Sequence, residues 1–152
     1  MWAVLSTTQK DQIQVKITVK TAIHDGKRKE TFELITFGKY YKKENARYLQ
    51  YDEVLEENMP PVKTTIKISA EDGLIMRSGA VKMRLPFKMN KRLRGQYTTP
   101  YGELDITTLT KRLHHQYDEH TKAGSIEVLY DLSMQGTYTG TYHLEVNFNQ
   151  ES

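Results

Sequence analysis

The feature that most constrains this chain is a two-residue hydrophobic alternation that keeps returning along it. Ile13, Val15, Ile17 and Val19 alternate with Gln14, Lys16, Thr18 and Lys20. Val62, Thr64, Ile66 and Ile68 repeat the pattern, as do Val81, Met83, Leu85 and Phe87, then Ile126, Val128, Tyr130 and Leu132, and finally Tyr142, Leu144, Val146 and Phe148. Successive side chains of a strand point to opposite faces, so each run is a strand with one apolar and one wet face. A one-sided sheet must cover its apolar face, either with a second sheet or by curling closed.

Turn chemistry separates the runs. Asp25-Gly26 and Asp72-Gly73 are hairpin signals, Pro60-Pro61 breaks the chain, and Gly136 and Gly140 flank a Thr/Tyr segment suited to a bulge. Pro86 marks a strand end or edge. About eight to ten strands with short links make an antiparallel meander, which favours closure into an all-β, up-and-down barrel. Leu109, Leu113 and Tyr117 are spaced for a helix over 110–120, but they also share one strand parity. A long strand with a bulge near Thr107-Thr108 accommodates them, and it is the preferred reading.

The length of 152 residues suits one domain, 1–152, and 38% hydrophobic with 27% charged residues suits a chain that folds alone. No apolar run approaches the ~20 residues of a membrane helix. The opening Met1-Trp2-Ala3-Val4-Leu5-Ser6 lacks a basic leader and is too short for a signal-peptide core. The expected location is therefore cytoplasmic, with no membrane partner. The absence of cysteine excludes disulfides and thiolate chemistry. Nothing in the sequence sets an oligomeric state.

Catalytic signatures are missing. There is no Gly-x-Ser-x-Gly elbow and no glycine-rich phosphate loop. His114, His115 and His120 lie beside Asp118 and Glu119, yet match no metal-site spacing, so no metal and no cofactor are expected. The net charge is +3, and no acidic residue falls between Asp72 and Glu103, where Arg77, Lys82, Arg84, Lys88, Lys91, Arg92 and Arg94 lie. That 77–94 stretch is mainly a solvated face. Nucleic acid is not an expected partner, because aromatic residues do not interleave with these cations.

One set of motifs is more specific. Arg77-Ser78-Gly79, Gln96-Tyr97-Thr98-Thr99-Pro100-Tyr101-Gly102, Thr110, Gly124-Ser125-Ile126 and Tyr130-Asp131-Leu132 occur in that order. Through them the chain resembles the YwiB-like bacterial family of calycin-like β-barrels of unknown function, over about 13 to 148. The resemblance implies a lipocalin-like barrel and no activity. Read as residues, Pro100 and Gly102 make the central element a hairpin corner.

The first functional reading is a binding module for a small apolar or amphipathic anion. The second is an interaction protein that binds nucleic acid or an acidic protein through 77–94, and the third is an enzyme of unknown type. For the first, the ligand-binding residues are Arg77, Arg94, Tyr97, Thr99 and Tyr101, with Tyr130 as a wall. A guanidinium suits an anionic head and tyrosine rings suit an apolar body. Parity opposes Arg94 to Tyr97, so both face inward only if a bulge intervenes, for instance at Gly95.

Overall fold

A computed structural model of the chain describes residues 12–54 and 57–151. The alternating runs become ten strands: β1 (Ile13–Asp25), β2 (Arg28–Lys43), β3 (Ala46–Glu53), β4 (Val62–Ile68), β5 (Asp72–Ser78), β6 (Lys82–Lys88), β7 (Arg92–Thr99), β8 (Gly102–Asp118), β9 (Ala123–Met134) and β10 (Thr137–Gln150). Each strand pairs antiparallel with its sequence neighbours, and β1 pairs with β10, so the sheet closes into an up-and-down barrel. Among the described residues no helix is long and apolar enough to cross a membrane.

Parity sets the inside of the wall. Val15, Ile17 and Val19 of β1 are buried against Val146 and Phe148 of β10, while Gln14, Lys16 and Lys20 are exposed. The Asp25-Gly26 hairpin forms as the sequence indicates, with Gly26 at φ 60°. A bulge at Tyr138/Gly140 lies in the Thr/Tyr segment. Pro86 pairs with Leu74 of β5 but sits beyond the last β6–β7 pair, Arg84 with Gln96, so its missing N–H interrupts no β6–β7 pairing.

The segment over 109–120 is strand, and its bulge lies elsewhere than expected. The β8–β9 register is regular past Thr107-Thr108 and slips between Thr110 and Arg112. The cause is non-local: the β6–β7 turn grips Thr110, whose carbonyl accepts the Asn90 N–H at 2.9 Å. Lys111 is thereby left outside, 3.2 Å from Asp131. Thr108 and Thr110 consequently take inner positions, and Leu109 does not. Thr108 secures its burial by donating from Oγ1 to the Pro86 carbonyl at 2.6 Å.

The two ends of the barrel differ. At the end carrying the β2–β3 and β8–β9 turns, Tyr40, Tyr117 and Phe148 pack ring to ring, with Tyr40 centred 4.6 Å from Tyr117 and 4.8 Å from Phe148. Arg47 caps them, donating to the Tyr40 hydroxyl at 3.2 Å and lying 5.6 Å from the Tyr117 ring centre. The opposite end is less filled. There β2 pairs with β1 throughout, but with β3 only over Gly38 to Lys43. Among the described residues this leaves a side opening between β2 and β3.

His115 faces inward near Arg47, and burial lowers its pKa from the ordinary 6.5, with the Arg47 and His114 charges acting in the same direction. The unfolded chain therefore takes up this proton first. The stability His115 contributes is complete above 6.5 and is lost as pH falls from there towards the folded-state value. Wild type should lose more stability than His115→Gln between about pH 7 and about pH 5, measured as urea midpoints. Parallel losses would remove this account.

Candidate functional site

The less-filled end holds a chamber of about 450 Å³ inside the barrel. Its wall is mostly apolar, with Val19, Ile75, Leu85, Ile106 and Leu132 among its lining. Such a volume lies in the range of small-molecule sites, roughly 300–1,000 Å³.

One register row brings the polar groups together. Tyr51 pairs with Thr64, Thr64 with Arg77, Arg77 with Met83 and Met83 with Tyr97. All of these residues take inner positions, so Arg77 faces inward with Ile75, and Leu74 and Met76 face outward. Glu53, further along β3, accepts from Thr64 Oγ1 at 2.8 Å and from Arg77 Nη2 at 3.4 Å on the same oxygen. The Glu53 side chain is 14% exposed and that of Arg77 30%.

The pairing of Arg77 is incomplete. Its Nε is buried and has no hydrogen-bond partner among the described residues. A buried donor left unpaired costs about 1–3 kcal/mol, more than the ~0–1 kcal/mol of a typical exposed ion pair. Tyr130 closes the chamber from the far wall, its ring tilted against Phe87 at 4.8 Å and stacked on Tyr142 at 5.4 Å. Burial raises the pKa of Tyr51 and Tyr130 well above the ordinary tyrosine value, and the Arg77 charge opposes this in both. Both hydroxyls therefore stay protonated.

Of the six residues singled out from sequence, the structure brings Arg77, Tyr97 and Tyr130 together in the chamber. It places the other three outside. The β7–β8 register is unbroken through Gly95, so Arg94 stays on the face opposite to Tyr97, 81% exposed and 3.6 Å from Asp105. Gly95 serves packing instead: a Cβ there would collide with the Arg84 carbonyl and Pro86. Thr99 is spent on its own turn, accepting the Tyr101 N–H and donating to the Gly102 carbonyl, each at 3.1 Å. Tyr101 is 99% exposed at the tip.

Glu53, Thr64, Tyr51 and Tyr142 were not singled out from sequence. Glu53 belongs to the Asp52-Glu53 pair, which reads as a solvated acidic patch. Its parity with Leu49 and Tyr51, both buried, is the signal that places it inside.

The histidines near the β8–β9 turn do not converge, because His114 is exposed and His115 faces inward. On the outer wall, Glu127, His143 and Glu145 bring three possible metal-ligand atoms within 4.8 Å of one another. Glu127 is already held by His143 Nε2 at 2.6 Å and by Arg112 Nη1 at 3.2 Å. The His143 hydrogen bond is the main reason its carboxyl titrates below the usual range, with Arg112 helping.

Comparison with known proteins agrees with the architecture. A family model described as Domain of unknown function (DUF1934) matches residues 17–146. The uncharacterized beta-barrel protein YwiB of Bacillus subtilis (strain 168) is 33% identical over 139 residues, which are 91% of this chain and 95% of that protein. The crystal structure of the YwiB protein from Bacillus subtilis superposes with a TM-score of 0.84 at 32% identity, covering 97% of this chain and 99% of the other.

Proposed function

Because the chain belongs to the DUF1934 family, whose description leaves function open, we propose a role from the barrel itself: it is a binding module for one small amphipathic molecule. The observation that carries this reading is the chamber of about 450 Å³ with the partly exposed Arg77–Glu53 pair set in its largely apolar wall. The apolar body lies against Ile75, Leu85 and Leu132, and the polar head meets Arg77 and the tyrosine hydroxyls. This division of labour suits a site in which a few fixed polar groups orient a largely apolar ligand. A cytoplasmic location accords with this role.

A ligand that binds only the folded state raises stability, by ~2.7 kcal/mol at a hundredfold excess over its dissociation constant. For a chain of this size that is a shift of roughly 5–10 °C in melting temperature. A thermal-shift screen of medium-chain fatty acids, alkanols, nucleotides and acyl phosphates should give such shifts for amphiphiles and none for nucleotides. Met83→Trp, which places bulk in the chamber next to Arg77, should abolish them. An unchanged melting temperature with every amphiphile would overturn the reading.

A further inference from the structure

We propose that the chamber selects neutral amphiphiles, with hydroxyl or amide heads, over fatty-acid-like anions, and that Glu53 sets this choice. The inference rests on the binding reading above and concerns the charge of the head.

Among the described residues that line the chamber, Arg77 is the only lysine or arginine. Its charge is already matched, since Glu53 Oε1 lies 3.4 Å from Nη2. Glu53 is in turn fixed from a second side by the Thr64 hydroxyl at 2.8 Å. It cannot swing into water without breaking that bond, and its position between Tyr51 and the mouth leaves it little exposed. Glu33, also in the lining, is exposed on β2 and adds a second negative charge at the entrance.

A carboxylate head that reaches Arg77 must therefore come to rest beside Glu53, as a second anion on one guanidinium. Like charges at this separation in a partly desolvated site oppose each other strongly. A neutral head meets no such penalty. Its oxygen can accept from the exposed part of the Arg77 guanidinium. A hydroxyl or primary amide can also donate to the Glu53 carboxylate, so both members of the pair are served.

The test uses matched probes, octanol and octanoate, titrated by calorimetry at neutral pH into the wild-type chain and into Glu53→Gln. Glutamine keeps the shape and can still accept from Thr64, so the fold is retained. Wild type should bind octanol at least about tenfold more tightly than octanoate, a ratio set by the extra buried charge. Glu53→Gln should reverse the order, tightening octanoate by more than that ratio and weakening octanol, which loses its charged acceptor. The wild-type ratio tests selectivity without any variant. Octanoate preferred by wild type, or a ratio that Glu53→Gln leaves unchanged, overturns this inference while the binding reading stands. No binding of any probe to wild type overturns both.

Discussion

Gly38→Ala should cost at least about 3 kcal/mol of stability, and Gly38→Val should prevent folding. A Cβ built on Gly38 lands on the carbonyl oxygen of Gln50 and lies 3.0 Å from Ile17 Cδ1. The main obstacle is main chain, which cannot rotate aside as a side chain can. Gln50 is held on both flanks, paired with Lys39 of β2 and Thr65 of β4. Gly38 is also the first residue of β2 to pair with β3, so the close approach sits where the side opening begins. Glycine inside a strand commonly marks such a bend or close backbone contact. Gly73→Ala is the control. Its Cβ would meet Ile68 Cδ1 at 3.2 Å and Leu113 Cδ1 at 3.5 Å, the far ends of flexible side chains. It should cost less than about 1 kcal/mol. Urea unfolding with unchanged slopes reads both values, and equal midpoints for Gly38→Ala and wild type would show that β2 and β3 separate freely.

The wall of this barrel was legible because each strand is wet on one side, so parity alone sorts inside from outside. Val81, Met83, Leu85 and Phe87 are inward as their alternation indicates. Parity was insufficient for Arg77, because Leu74 and Met76 are as apolar as Ile75. Register decides: Arg77 lies opposite Thr64 and Met83, both inward, and register belongs to the partner strands rather than to β5 itself. The bulge at Lys111 was illegible for the same reason, since the grip on Thr110 comes from the β6–β7 turn. Arg94, Thr99 and Tyr101 illustrate the opposite failure. Their side-chain chemistry suits a ligand, but the pleat and the turn carry them out of the chamber.

The buried polar row explains why the chamber half of the barrel differs from the aromatic half. Tyr51, Thr64 and Arg77 occupy inner positions that a solid core would give to aliphatic residues. Replacing such a group by a well-packed apolar one is often neutral or stabilising, so an ion pair like Arg77–Glu53 is weak support for stability. Under the proposed binding role, these residues serve the ligand rather than the fold.

The aromatic end should carry stability instead, and Phe148→Ala should cost about 3–5 kcal/mol. Phe148 is buried and lies directly opposite Gly124 in the β9–β10 register, so its ring covers the space where a side chain of β9 would stand. A Cβ on Gly124 would strike the Phe148 ring, with Cε2 at 2.9 Å, and would also meet the Gln116 carbonyl oxygen at 2.9 Å. Gly124→Ala alone should therefore push the ring off Tyr40 and cost about 1–3 kcal/mol, the usual range for overpacking. Once Phe148 is alanine, most of that obstruction is gone and only the Gln116 carbonyl remains. The double variant should accordingly be more stable than the sum of the single losses implies, by at least about 1 kcal/mol, as residues in contact do not add. Chemical unfolding of the four proteins in the cycle measures the coupling. Additive losses would mean that the ring gains its stability from Tyr40 and Tyr117 alone, and that its cover over Gly124 contributes nothing.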